Sequence, residues 1–215
     1  MKIWENNTIG ALRIDDLKGH PVSIESMTNH VWGRQTTDWI LPIVWSICRK
    51  YQNGVFAEIG TRAAVMTSVM GIAARDVGGR VYTMDISDEH HEQAVYHVNN
   101  GGMAELVTFI HADSQKNDFP EPIDVLFIDG DHSYEAVKAD YLRHAPNVKD
   151  DGIILFHDPC ADKGTERFCK EYGIPVIPIE AGLGILCKEP HGAVAYQTLQ
   201  TTAYPWTLQE DQPNG

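Results

Sequence analysis

The amino-acid sequence predicts an α/β protein with a doubly wound sheet of seven strands, mostly parallel and completed by a C-terminal antiparallel hairpin. From Val55 onward, short β-branched runs alternate with segments of helical period, as in a parallel sheet with crossover helices. Two of the runs, VLFI and IILF, are apolar at every position, which is typical of strands covered on both faces. The last two predicted strands are too close in sequence for a crossover helix, so we expect them to pair antiparallel.

The predicted elements follow one another in regular order. Strands are expected at residues 55–59, 80–84, 107–111, 125–128, 152–156, 175–178 and 184–188. Helices are expected at residues 63–75, 89–99, 134–144 and 165–172, and an amphipathic helix capped by Thr36 or Thr37 is expected at residues 36–51. Residues 55–189 therefore form the predicted core domain, residues 1–54 an N-terminal helical extension and residues 190–215 a polar C-terminal extension.

Composition disfavours several classes of function. The chain has 215 residues, enough for one large core, and its formal net charge of -13 without a Lys/Arg-rich run disfavours a nucleic-acid partner. Apolar runs are too short to span a bilayer, and the N-terminus lacks the order of a signal peptide. The four cysteines are expected to be reduced core residues. We therefore expect a cytoplasmic protein without a membrane partner, and the sequence is compatible with a homo-oligomer.

The segment VFAEIGT predicts a ligand site at the end of the first core strand. Gly60 would let the backbone approach a ligand closely, and the N-terminus of the next helix favours a negatively charged group. A structural tight turn explains a single glycine equally well. A dinucleotide fingerprint needs three glycines as G-x-G-x-x-G, whereas Arg62, Ala63 and Ala64 follow here, which weakens that interpretation.

Acidic residues follow the next two predicted strands. Asp85 lies about 25 residues beyond Gly60, where an acidic side chain accepts hydrogen bonds from a ribose diol. Asp113 and Ser114 follow the third strand, and Asp113 is a candidate partner for an adenine amino group. Each acid could instead cap the next helix. Three polar strand ends in series nevertheless favour a ligand crevice over three separate caps.

Two further strands end in carboxylates and imidazoles. The stretch IDVLFIDGDHSY places Asp129, Asp131 and His132 after one apolar strand, and GIILFHDP places His157 and Asp158 after the next. Such groups suit a divalent ion such as Mg²⁺ or Mn²⁺. The alternative is that Asp131 and Ser133 cap the next helix while Asp129 and Asp158 are solvated. Because grouping these charges without a ligand is costly, we expect a metal site at this edge of the sheet.

The blocks FAEIGT, MDIS, HADS, DVLFIDGDHSYEAVKADY and GIILFHD, in this order, resemble class I S-adenosylmethionine-dependent methyltransferases of the Methyltransf_24 group. That group is similar to metal-dependent sugar O-methyltransferases of macrolide biosynthesis and, more remotely, to catechol and caffeoyl-CoA O-methyltransferases. The resemblance covers residues 55–188, and FIDGDHSYEAVKAD is its most specific block. It implies a Rossmann-like class I fold and methylation of a small-molecule hydroxyl with assistance from Mg²⁺ or Mn²⁺.

The resemblance also implies a set of residues that contact S-adenosylmethionine. Glu58 and Gly60 would frame its methionine end, Asp85 its ribose, and Asp113 with Ser114 its adenine. The full predicted set is Glu58, Gly60, Thr61, Asp85, Ile86, Asp113, Ser114 and Asp129.

The same resemblance implies that Asp129 and Asp158 hold the metal ion with His157 beside them, and that His132 acts as general base. The predicted metal site is therefore Asp129, His157 and Asp158. Two positions depart from the family pattern: Ala64 stands where these proteins usually have glycine, and His157 stands where the macrolide enzymes have glutamate.

Two other functions stay open at this point. A nicotinamide-dependent oxidoreductase shares the fold class and the acid after the second strand, but predicts a glycine-rich pyrophosphate loop. A non-catalytic S-adenosylmethionine-binding protein of the same fold is kept open by Ala64 and His157. The acceptor pocket would come from the N-terminal extension, the 159–164 loop and the tail, with His30, Trp32 and Arg34 as candidates that packing explains as well.

Overall fold

The structure, a computed structural model, describes residues 8–9, 12–13, 40–178 and 181–188. The elements are β1 (Thr8–Ile9), β2 (Leu12–Arg13), α1 (Ile40–Cys48), β3 (Val55–Ile59), α2 (Val65–Val77), β4 (Arg80–Asp85), α3 (His91–Asn100), β5 (Val107–His111), β6 (Ile123–Ile128), α4 (Tyr134–His144), β7 (Val148–His157), α5 (Lys163–Glu171), β8 (Val176–Ile177) and β9 (Leu183–Cys187). The predicted cap at Thr36 or Thr37, the residues His30, Trp32 and Arg34, and the C-terminal extension lie outside the described residues.

Within the described part of the chain, seven strands form one sheet in the order β5-β4-β3-β6-β7-β9-β8. The strands from β3 to β7 pair in parallel, whereas β9 pairs antiparallel with both β7 and β8. The predicted fold class and the C-terminal antiparallel hairpin are confirmed. The strand order reverses between β3 and β6, and such a reversal is where open α/β sheets bind ligands.

The apolar strands separate two hydrophobic layers. Alternate residues of β6 and its neighbours face opposite sides, because successive side chains of a strand point to opposite faces. Phe127 packs with α1 and α2 on one side, and Leu126 packs with α4 and α5 on the other. Both layers are fully buried, which explains why β6 is apolar at consecutive positions.

Most element boundaries differ from the prediction by a few residues, and for two elements the structure gives the reason. Strand β7 extends beyond residues 152–156 because Val148 pairs with Ile123 and His157 pairs with Leu183. Helix α2 begins at Val65 rather than at residue 63 because Ala64 has a φ of 61°, which interrupts right-handed helical backbone.

The cysteines form no disulfide, as expected, but one is not a core residue. Cys48 and Cys169 are buried, whereas Cys160 is exposed in the loop after β7. The expectation of four core cysteines was therefore wrong for Cys160. The apolar run before it belongs to β7, which ends at His157, and Cys160 lies in the loop that follows. Among the described residues, no helix is both long and apolar enough to cross a membrane.

Candidate functional site

A cleft of about 710 Å³ lies at the carboxyl ends of the strands around the reversal in strand order. This volume is within the range of small-molecule sites. The residues that line the cleft come from the strand-end loops and from α4: Ile59, Gly60, Arg62, Met84, Asp85, Ile86, Ser87, Glu89, His90, Ala112, Asp113, Ser114, Gln115, Asp129, Gly130, Asp131, His132 and Asp140. Most of the predicted cofactor residues therefore converge on one concave surface.

The loop after β3 is held by close backbone packing. Gly60 has a φ of 93°, and a Cβ at this position would lie 2.1 Å from the carbonyl oxygen of Asp129. The glycine is thus required by the approach of the β3 and β6 loops to each other, and not solely by space for a ligand. Arg62 and Ala64 also have positive φ, so the loop repeatedly adopts a conformation that favours glycine.

Asp85 organises the loop that borders the cleft after β4. Its Oδ2 accepts a hydrogen bond of 2.9 Å from the backbone N–H of Arg62, and its Oδ1 accepts one of 2.8 Å from that of Ser87. Each carboxylate oxygen can accept a further bond, so Asp85 can still bind a hydroxyl in the cleft. The next residue, Ile86, is 68% exposed and offers an apolar surface at the same place.

The loop after β5 is fixed from α4. Ser114 donates a 2.7 Å hydrogen bond to Asp140, and Nε2 of His144 lies 2.8 Å from the carbonyl oxygen of Ser114. Burial raises the pKa of Asp140 to about 6. Asp113 pairs with Lys116 at 2.7 Å, which lowers the pKa of its carboxyl group.

Asp140 is a cleft residue that the sequence analysis missed. The available signal was its place on the buried stripe of α4, between Val137 and His144. An acid on the apolar face of a helix indicates a buried partner.

Glu58 does not reach the cleft surface. Its side chain is 1% exposed, and its Oε2 accepts hydrogen bonds from Thr67 and, at 2.6 Å, from Thr83. Burial raises the pKa of Glu58 to about 8, against the lowering effect of the two hydroxyl groups. Thr61, which was predicted beside the cofactor, is also buried and lies 2.6 Å from Thr83 in the same network. The two threonines thus direct the carboxyl group of Glu58 into the protein, away from the cleft surface. The contact of Glu58 with the cofactor stays a prediction.

The residues at the ends of β6 and β7 meet in a second group, named here the Asp/His cluster: Asp129, His132, His157 and Asp158. Oδ1 of Asp129 lies 2.7 Å from Nδ1 of His157 and 3.1 Å from Nε2 of His132. Oδ1 of Asp158 lies 3.2 Å from Nδ1 of His157. The cluster adjoins the cleft through Asp129 and His132.

Charge and burial oppose each other in the Asp/His cluster. Burial alone would raise the pKa of Asp129, but the adjacent imidazoles outweigh it and hold this pKa below its usual value. The hydrogen bond to Asp129 raises the pKa of His132 despite partial burial. Burial raises the pKa of Asp158, against the lowering effect of His157. The carboxylates of the cluster therefore favour the protonated form of His132.

The backbone around Asp158 is unusual. Asp158 has a φ of 60°, a conformation that costs a non-glycine residue roughly 1–2 kcal/mol and persists where surrounding structure enforces it. Asp162, the cap of α5, has its Oδ2 3.7 Å from Nδ1 of His132. Asp162 lies in the 159–164 loop, and no pattern in the sequence marked it as a site residue.

Three of the clustered residues could hold a metal ion. Asp129, His132 and His157 each offer one ligand atom, and these atoms lie within 4.8 Å of one another. The predicted base His132 and the predicted ligands Asp129 and His157 are therefore in one place. Asp158 lies against them, as its distances to both imidazoles show.

Residues 57–159 match the family model Methyltransf_24, which describes a methyltransferase domain. The matched segment begins in β3 and ends just after Asp158, so it contains the cleft residues and the Asp/His cluster.

Solved structures with the same fold are similar at low sequence identity. An S-adenosylmethionine-dependent O-methyltransferase from Thermotoga maritima aligns with a TM-score of 0.61 at 14% identity, covering 77% of this chain and 70% of that one. A methyltransferase from Podospora anserina bound to S-adenosylhomocysteine gives a TM-score of 0.63 at 13% identity, covering 78% and 86%. An O-methyltransferase from Bacillus cereus in complex with S-adenosylhomocysteine gives 0.56 at 16%, covering 78% and 89%. At these identities the likeness concerns the fold.

Proposed function

Since residues 57–159 of this chain form a class I S-adenosylmethionine-dependent methyltransferase domain, we propose that the protein methylates a hydroxyl group of a small molecule with the help of a divalent metal ion. The observation that carries the proposal is the convergence of Asp85, Asp113 and Asp129 on one cleft beside the Asp/His cluster. Nucleoside recognition and a metal-binding group thereby share one edge of the sheet.

The cleft offers the contacts that S-adenosylmethionine needs. Asp85 has acceptor capacity left for the ribose hydroxyls, and the exposed Ile86 beside it gives an apolar surface for the adenine ring. Ser114, held by Asp140, and Asp113 border the adenine end. When bound, the sulfonium compound supplies an electrophilic methyl group, so the protein has mainly to align an acceptor oxygen and accept its proton.

Asp129, His157 and Asp158 are the proposed metal-binding residues. Nδ1 of His157 and Oδ1 of Asp158 are buried and lie 3.2 Å apart without an aligned hydrogen bond among the described residues, an arrangement that a cation between them would satisfy. The residues present therefore fit a divalent ion. When bound, such an ion lowers the pKa of a chelated hydroxyl group and fixes its position.

His132 was predicted to accept the proton of the acceptor hydroxyl. Its Nε2 faces Asp129, and its Nδ1 lies 3.7 Å from both Asp158 and Asp162. A neutral imidazole has one N–H and one nitrogen with a free lone pair, and that lone pair binds either a proton or a metal ion. His132 therefore serves either as the proton acceptor or as a metal ligand. The neighbouring carboxylates Asp158 and Asp162 are the alternative sites for the proton.

The proposal also covers the acceptor pocket, the class of acceptor and the location of the protein. The 159–164 loop, whose Asp162 lies 3.7 Å from His132, would border the acceptor pocket. The N-terminal and C-terminal extensions, which were also predicted to contribute to this pocket, lie largely outside the described residues. A net charge of -13 supports a small-molecule acceptor over a nucleic acid. Four cysteines without a disulfide support a cytoplasmic location. A homo-oligomer is compatible with these features.

The test is methyl transfer from radiolabelled S-adenosylmethionine to a panel of catechols, sugars and other hydroxyl compounds, with and without divalent ions. We expect labelled product with at least one acceptor, inhibited by S-adenosylhomocysteine. Stabilisation by S-adenosylhomocysteine without transfer to any acceptor would favour a non-catalytic binding protein. Stabilisation by NAD, and not by S-adenosylhomocysteine, would favour an oxidoreductase.

A further inference from the structure

We infer that the Asp/His cluster binds a divalent transition-metal ion in preference to Mg²⁺, with His132 and His157 both among its ligands. This inference rests on the metal-binding part of the proposed function and deepens it by naming the class of ion. It also assigns His132 to the metal rather than to proton transfer.

The spacing of the ligand atoms supports a shared ion. Two ligand atoms about 2.1 Å from one ion and at right angles are about 3 Å apart. Oδ1 of Asp129 lies 2.7 Å from the nearest nitrogen of His157 and 3.1 Å from that of His132. Asp129, His132 and His157 each offer one ligand atom, and these three atoms lie within 4.8 Å of one another. Because both imidazoles adjoin the same carboxylate oxygen, they are positioned as neighbouring ligands.

His157 provides an independent indication of a ligand. It is 8% exposed, and neither ring nitrogen has a hydrogen-bond partner among the described residues. Nδ1 approaches Asp129 and Asp158 without the alignment of a hydrogen bond. A buried nitrogen that contacts two carboxylates without hydrogen-bond alignment is poorly satisfied, and a metal ion held between Nδ1 and these carboxylates would bind all three groups.

The donor set decides the class of ion. Mg²⁺ is bound mainly by carboxylates and waters, and it tolerates few departures from an all-oxygen octahedron. Imidazole nitrogen suits zinc, iron, nickel and copper, and affinities for nitrogen-containing sites rise from Mn²⁺ toward Cu²⁺. Two imidazoles beside Asp129 and Asp158 therefore favour a transition metal.

The surroundings of His132 favour the ligand role over the base role. A base needs one ring nitrogen directed at the acceptor, but Nε2 is directed at Asp129 and Nδ1 lies between Asp158 and Asp162. Neither nitrogen is directed away from carboxylates. The imidazole of His132 is thus placed to bind a cation that the neighbouring carboxylates also contact.

The experiment measures Mn²⁺ binding to the full-length protein by electron paramagnetic resonance, with Mg²⁺ as competitor. We expect displacement of Mn²⁺ to require at least a tenfold excess of Mg²⁺, and spin-echo modulation from imidazole nitrogen on the bound Mn²⁺. The His132→Gln variant should bind Mn²⁺ at least tenfold more weakly while its Mg²⁺ affinity changes less. His111→Gln is the matched control, because His111 pairs with Asp88 away from the cluster.

Equal affinities for Mn²⁺ and Mg²⁺, or bound Mn²⁺ without nitrogen modulation, would overturn the inference. An unchanged Mn²⁺ affinity in His132→Gln would exclude His132 as a ligand. The spectroscopic readout on the parent protein needs no variant, so misfolding of a His157 variant does not decide the outcome. Binding of S-adenosylhomocysteine is measured in the same samples, and its loss alone would contradict the proposed function and leave the metal assignment standing.

Discussion

Nδ1 of His157 lies 2.7 Å from Oδ1 of Asp129, and this contact joins the ends of two adjacent parallel strands. It arises because β6 and β7 pair in register, with Ile128 beside Phe156, so that the next residues of both strands emerge at the same edge. The contact places a buried imidazole and a carboxylate at the border of the cleft. The proposed metal site depends on this relationship.

Removing either carboxylate of the Asp/His cluster should abolish metal binding. We expect Asp129→Ala and Asp158→Ala each to weaken Mn²⁺ binding by roughly 100-fold or more, because each removes a charged ligand. Calorimetric titration with Mn²⁺ measures the effect, and binding of S-adenosylhomocysteine to Asp158→Ala should persist. Asp150→Ala, at the opposite end of β7, is the control and should bind like the parent. Parental Mn²⁺ affinity in both cluster variants would place the metal elsewhere.

Asp85→Asn should weaken binding of S-adenosylhomocysteine by roughly 10- to 100-fold, because charged hydrogen bonds to the ribose would be replaced by weaker ones. The substitution keeps the size of the side chain and leaves one oxygen to accept a backbone N–H bond. Calorimetry gives the dissociation constant. Asp88→Asn is the control, because Asp88 is a nearby exposed acid that does not line the main cleft. Equal affinities of Asp85→Asn and the parent would remove Asp85 from the nucleoside site.

Gly60→Ala should destabilise the protein by roughly 2–5 kcal/mol, through steric overlap with the Asp129 carbonyl and the positive φ. Gly102→Ala is the matched control. Gly102 also has a positive φ, of 66°, but a Cβ there meets no described atom within 4 Å. It should cost only about 1–2 kcal/mol of backbone strain. Urea unfolding of the two variants measures the difference, and equal costs would show that the β3 and β6 loops can separate.

Glu58 should make stability depend on pH. Its pKa in the folded protein is about 8, above the ordinary value of 4.5, so the folded state keeps a proton that the unfolded chain releases. Stability from Glu58 is therefore fully present below about pH 4.5 and is lost as the pH rises toward 8. Between about pH 5.5 and 8, the parent should lose roughly 3 kcal/mol more unfolding free energy than Glu58→Gln.

Urea unfolding at the two pH values provides this comparison. Glu92→Gln, which alters an exposed acid of α3, should keep the pH dependence of the parent. If Glu58→Gln and the parent lose the same stability over this pH range, the Glu58 carboxyl group is ionised in the folded protein.

The sequence was sufficient to predict the sheet because its signals are local. Residues 125–128 of β6 are a continuous apolar run followed by Asp129, and the short interval before β9 excludes a crossover helix. Parallel strands bring their carboxyl ends to one edge, so the sequence alone predicts that the strand-end acids lie together. The convergence of Asp85, Asp113 and Asp129 on the cleft agrees with that expectation.

The direction of individual side chains could not be predicted in the same way. Glu58 turns inward because Thr67 of α2 and Thr83 of β4 donate to it, and neither partner is marked by spacing along the chain. The place of His132 depends on a turn that brings its ring back to Asp129. Such contacts are set by tertiary packing, which local patterns do not encode.

A crystal structure of the protein with S-adenosylhomocysteine and Mn²⁺ tests the central claim most directly. We expect the ribose within hydrogen-bond distance of Asp85, the adenine beside Ile86 and Ser114, and an anomalous manganese peak bound by Asp129 and His157. Nucleoside density in another cleft, or manganese bound away from the ends of β6 and β7, would contradict the assignment of this edge of the sheet as the methyl-transfer site.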